Sequence, residues 1–151
     1  MKQHSRYHIA RRLLIFWTLF VAIGAVGGAI GMLLDPSGKL MGMDAMLPYF
    51  QVLPFAEVVF QDFTFSGYAL LIVNGLTNLT AAELLLAKKK SGVIAGGIFG
   101  VTLMLWICIQ FYMFPLNFMS TTFFVIGFCQ AATGYASDVP SGADVPENFS
   151  L

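Results

Sequence analysis

Long apolar runs separated by brief polar punctuation dominate the pattern of this chain. Residues 13–34, 67–87, 92–114 and 119–136 each approach the 20 or so residues needed to cross a hydrocarbon core of about 30 Å. Four such runs predict an all-α fold: a polytopic membrane protein built as a four-transmembrane-helix bundle. The punctuation divides the rest. Residues 1–12 form a basic N-terminus, 35–66 a long connection, 88–91 a lysine turn, 115–118 a short turn and 137–151 an acidic tail. A basic start before an apolar run is also the layout of a signal peptide. Here the run is longer than a signal core and passes straight into Asp35-Pro36 without a small-x-small cleavage site, which predicts an uncleaved first span.

The long connection carries its own signals. Asp35-Pro36-Ser37-Gly38 has the residue types of a tight turn. The stretch LPYFQVLPFAEVVFQDFTF is rich in aromatic residues. Pro54 suits the first turn of a short helix on which Phe55, Val58, Val59 and Phe63 share one face. An interfacial segment at the outer headgroup level is expected, acting as an anchor, with a lid over a site as the alternative.

Composition confirms the class and charge sets the orientation. The chain is 58% hydrophobic and 11% charged, outside the usual range of a soluble domain. Its formal net charge of zero hides segregation. Lys2, Arg6, Arg11, Arg12, Lys88, Lys89 and Lys90 fall on one side of a four-span arrangement, and only Lys39 on the other. The excess of positive charge on inner segments predicts a plasma-membrane protein with both termini cytoplasmic. No basic folded surface with interleaved aromatics supports a nucleic-acid partner; the expected partners are the lipid bilayer and a second copy or a larger membrane complex.

Small and polar residues mark the faces of the spans. Gly24, Gly27, Gly28 and Gly31 contain two overlapping GxxxG spacings, and Gly92, Gly96 and Gly100 form a second stripe. Such glycines let backbones approach closely, within the bundle or across a homodimer face. The two stripes sit at different depths, so the second span is expected to be central, touching the first span at one level and the third at the other. Asn74 and Asn78 share a face of that second span with Thr77 and Ala81. Together with Gln110 and Gln130 they are expected either to line a polar cavity or to bond one another; Gly127, Gln130, Ala131 and Gly134 form a small, polar face of the fourth span.

Glu83 is the one ionisable residue well inside a span, which makes it a candidate for a coupling or ion-path role. An ion pair with Lys88, Lys90 or Arg12 is the structural alternative. No cofactor or metal is expected: both histidines lie in the basic segment, Cys108 and Cys129 are isolated in separate spans, and no phosphate loop, nucleophile elbow or carboxylate pair is present.

The segment VNGLTNLTAAELLLAKKK and the run LMLWICIQFYMFPLNFMSTTFFVIGFCQAATGY resemble small four-span bacterial membrane proteins of unassigned function. That resemblance implies a bacterial plasma-membrane setting and no activity. GAVGGAIG and STTFF echo small fluoride channels, but the accompanying arginine and glycines are missing. Small multidrug antiporters place their carboxylate in the first span, where this chain has none. The expected function is a structural or accessory subunit acting through helix association rather than an enzyme. A small transporter or channel using Glu83 and an amide-lined cavity is the alternative, and a lipid-acting membrane enzyme is a weaker one.

Overall fold

A computed structural model describes residues 2–138, and every regular element among them is helical. Helix α1 runs unbroken from Lys2 to Leu34. Residues 2–23 contain neither glycine nor proline, so the basic segment expected to stand apart instead forms the opening turns of this helix. Arg11, Leu14, Thr18, Val21, Ala22, Ala25 and Ala29 are buried, tracing one face at helical spacing.

The helix stops where Pro36 follows and Asp35 organises a turn. Asp35 Oδ1 accepts from the Ser37 hydroxyl at 2.6 Å and from the Ser37 N–H at 3.2 Å, and Oδ2 accepts from the Leu40 N–H at 2.8 Å. The Ser37 hydroxyl, then the Leu40 N–H, hold the Asp35 carboxyl below its ordinary pKa. Gly38 has φ 78°, and a Cβ there would lie 2.5 Å from the Phe63 ring. Both the backbone and the space therefore require glycine.

The connection is folded onto the end of the bundle. It comprises 3₁₀ turns Lys39–Met41 and Asp44–Val52 and the short helix α2, Ala56–Val59. Phe50 stacks on Phe60 and meets Phe63 and Phe114 edge-on, with centroids 5.2, 5.7 and 5.4 Å away. The expected shared face of Phe55, Val58, Val59 and Phe63 is not formed. Phe55 and Val58 are 81% and 78% exposed whereas Phe63 is fully buried. Helix α2 ends at Val59, and the Phe63 N–H bonds the Pro36 carbonyl at 2.9 Å, so Phe63 turns inward beyond the helix.

The second rod is composite: α3 (Thr64–Leu70), a π-helical turn (Leu71–Leu76) and α4 (Thr77–Leu86). Lys88, at φ 61°, reverses the chain. Helix α5 spans Lys90–Met113 and ends before Pro115; α6 spans Phe118–Asp138, its start capped by Asn117 Oδ1, which accepts from the Ser120 N–H at 2.8 Å. Of the acidic tail expected over residues 137–151, positions 139–151 lie outside the described residues.

Three helices are long and apolar enough to cross a membrane: Arg6–Leu34, Thr64–Leu86 and Lys90–Met113. Helix α6 has comparable length, 21 residues, but a larger share of Ser, Thr and Gln. The four rods close a ring. α1 packs along the whole α3–π–α4 rod and against α6, α4 packs on α5, and α5 on α6, while α1 and α5 barely meet. As expected, the second rod meets both α1 and, through α4, α5; it does so along one side of a ring that α6 closes on the other, and its contact with α1 extends over its whole length rather than one level. The most extensive packing is between α5 and α6, because glycines face glycines there. A Cβ on Gly100 would lie 2.5 Å from the Ala131 nitrogen, and one on Gly134 would lie 2.5 Å from the Gly97 Cα.

Candidate functional site: a methionine-lined cavity and a buried amide cluster

Two features stand out once the ring is assembled. At the end covered by the connection, a cavity of about 630 Å³ opens between α1, α3, α5 and the start of α6. This size is that of a small-molecule site, roughly 300–1,000 Å³. Met32, Met41, Met43, Met46, Met113 and Met119 line it, six of the eight methionines in the chain. Unbranched thioether side chains repack readily around an apolar guest. Aromatic residues of the connection and Trp106 complete the wall, and no ionisable side chain contributes to it.

Polar groups in the cavity are few. Gln110 Oε1 accepts from the Ser120 hydroxyl at 3.0 Å, and the Gln110 amide N–H₂ has no partner among the described residues. The Ser66 hydroxyl, from α3, likewise makes no hydrogen bond with another described residue. Asn117 is already committed to the turn: its Nδ2 donates to the Pro115 carbonyl at 3.1 Å and its Oδ1 caps α6.

The second feature lies among the helices, where Asn74, Asn78 and Gln130 are all essentially inaccessible. Gln130 Nε2 donates to Asn78 Oδ1 and to the Gly96 carbonyl, both at 2.8 Å, and Asn78 Nδ2 donates to the Asn74 carbonyl at 2.9 Å. The chain of bonds assigns the amides of Gln130 and Asn78. The Gly96 carbonyl only accepts, so nitrogen of Gln130 must face it; Asn78 must then present oxygen to Gln130 and nitrogen to the Asn74 carbonyl. Gln130 Oε1 and both side-chain polar atoms of Asn74 are buried with no partner among the described residues. Each such group costs about 1–3 kcal/mol. Asn74 sits in the π turn, a local irregularity that often accompanies functional sites.

No family model, no curated protein and no solved structure matches the chain. Geometry and chemistry are the grounds for a function.

The expected site residues separate into different places. Asn74, Asn78 and Gln130 come together in the amide cluster, whereas Gln110 belongs to the cavity. Glu83 joins neither. It is exposed on the outer surface of α4, and no ion pair to Lys88, Lys90 or Arg12 forms among the described residues. The glycines divide too. Gly92 packs on the Leu84–Leu85 backbone, Gly96 on Leu14 and Gly100 on Ala131; Gly28 meets Leu70 and Gly31 meets Met41. A Cβ on Gly24 or Gly27 would meet no atom of another element within 4 Å among the described residues, because both fall on the side of α1 that faces away from the ring.

Arg11 has a packing role that charge reasoning alone does not give it. It is 8% exposed, and its guanidinium donates to the Leu85 carbonyl at the C-terminal end of α4. The last carbonyls of a helix lack intrahelical partners and carry partial negative charge, so a cation there is stabilising. Its position on the Arg11–Leu14–Thr18 face was the available signal. The methionine cavity had a weaker one, since Met41, Met43 and Met46 are close in sequence but Met32, Met113 and Met119 reach it from other elements.

Proposed function

We propose that this chain is a four-span integral membrane protein that holds an apolar molecule, drawn from the surrounding bilayer, in the methionine-lined cavity. The carrying observation is a cavity of about 630 Å³ with an uncharged lining, roofed by a connection that packs inward through Phe50 and Phe63. Helix α6 serves as the fourth span. Thr121, Thr122, Thr133 and Ser137 each return their hydroxyl to the carbonyl four residues earlier, and Gln130 points into the ring. Polar side chains satisfied in this way are tolerated in a bilayer. With the lysine turn and Arg11 at the opposite end, the cavity lies on the outer side of the plasma membrane and both termini are cytoplasmic.

A second reading, a structural or accessory subunit acting through helix association, draws on the unpacked Gly24 and Gly27. The transporter alternative finds no added support, because Glu83 is exposed on α4 while Asn74, Asn78 and Gln130 are buried among the helices.

Native mass spectrometry of the protein released from membranes tests both. Wild-type protein is expected to retain one lipid-sized adduct per chain, and Ala69→Phe, which fills the cavity, to lose it. Equal adducts in both proteins, or none in the wild type, would rule out the cavity reading. Oligomers that disappear in Gly27→Leu would favour the subunit reading; a monomer throughout would exclude self-association.

A further inference from the structure

The cavity's own chemistry narrows what it can take. Building on the binding reading above, we infer that the occupant is a neutral lipid with a hydroxyl or carbonyl headgroup, held by Gln110 and Ser66, and not a charged lipid.

The wall contains no Lys, Arg, His, Asp or Glu. An anionic or zwitterionic headgroup drawn into such a space would lose its hydration and meet no counter-charge, which is strongly unfavourable. The ionisable residues of the connection, Asp35, Lys39, Asp44, Glu57 and Asp62, all stay outside the lining.

What the wall does offer is a small set of neutral hydrogen-bonding groups. Gln110 Oε1 is engaged by Ser120, and its two N–H donors have no partner among the described residues. Ser66 Oγ, on the facing rod, both donates and accepts and has no partner among the described residues. Ser120 Oγ, having donated its proton, retains acceptor capacity. Two donors on Gln110, an acceptor on the neighbouring Ser120 and the Ser66 hydroxyl elsewhere in the same wall match a carbonyl oxygen or an alcohol. The remainder of the wall, methionine and aromatic side chains, suits a flexible or unsaturated hydrocarbon tail.

Tail and head can be tested separately. The reporter is Trp106, which lines the cavity. In a Trp17→Phe background it is the sole tryptophan. The full chain in phosphatidylcholine nanodiscs is titrated with 9,10-dibromo-octadecan-1-ol or with the permanently anionic 9,10-dibromo-octadecyl sulfate, both of which quench tryptophan by contact. Unbrominated octadecanol serves as competitor at constant total mole fraction.

The alcohol is expected to quench saturably and competably, with at least tenfold higher apparent affinity than the sulfate. Gln110→Leu should reduce that preference to less than threefold, and Ser66→Ala should reduce it partially. The serine variant serves as a milder test if the glutamine variant does not fold. Equal or tighter binding of the sulfate, or an unchanged preference in a folded Gln110→Leu or Ser66→Ala protein, would overturn the headgroup assignment while leaving the cavity as a lipid site. Quenching by either probe that neither saturates nor competes would overturn the cavity reading itself.

Discussion

Gln130 and Asn74 are both buried amides in one cluster, yet they stand in opposite energetic positions. Gln130 donates two hydrogen bonds across helices, whereas the Asn74 side chain makes none. Replacing Gln130 with Leu strands Asn78 Oδ1, at an expected cost of about 1–3 kcal/mol. Replacing Asn74 with Leu removes two orphaned groups and is expected to be neutral or stabilising. Unfolding midpoints in mixed micelles measure both, and an equal loss in the two variants would mean that Asn74 has a partner the cluster does not reveal. The pairing of Asn74 with Asn78 was legible from their spacing of four. The arrival of Gln130, 52 residues away, was not, because periodicity describes a helix's own face and says nothing about which other helix meets it.

At the scale of elements, glycine has two meanings in this fold. Gly100 is in backbone contact with α6, and a side chain there forces the α5–α6 pair apart. Gly100→Val is expected to destabilise by about 1–3 kcal/mol, the usual cost of overpacking a close interface. Gly24 faces open space, and Gly24→Ala is expected to stabilise α1 by about 0.5–1 kcal/mol through helix propensity. The same micelle unfolding assay reads both signs; a destabilising Gly24→Ala would show that this face is covered in the membrane. Sequence spacing treats the two stripes alike, since GxxxG describes capacity for close approach rather than its use. The π turn at Leu71–Leu76 left no trace in the hydrophobic pattern. A one-residue register change within an apolar helix exchanges one apolar position for another.

For the whole molecule, the proposed orientation rests on where its charges lie. In a background lacking Cys108 and Cys129, a cysteine at Ser37 is expected to react with a membrane-impermeant maleimide in intact cells, and one at Ser91 only after permeabilisation. Reaction at both positions in intact cells would refute the arrangement with α6 as a fourth span and both termini inside. The ring topology matters for the cavity as well, since helices from both halves of the chain and the connection between them all contribute to its wall.

Taken by itself, the sequence determined the helical class, the bounds of the long helices to within a few residues except at the start of α1, and the asymmetry of charge. These depend on local length, apolarity and turn chemistry, which neighbouring residues encode. Only the tertiary structure decided the rest. It turned Phe63 inward, set Arg11 on the end of α4, left Glu83 outside and gathered six methionines around one space. Those outcomes depend on which helix faces which. In a chain where almost every face is apolar, the hydrophobic pattern carries little information about partners, and close packing makes the choice.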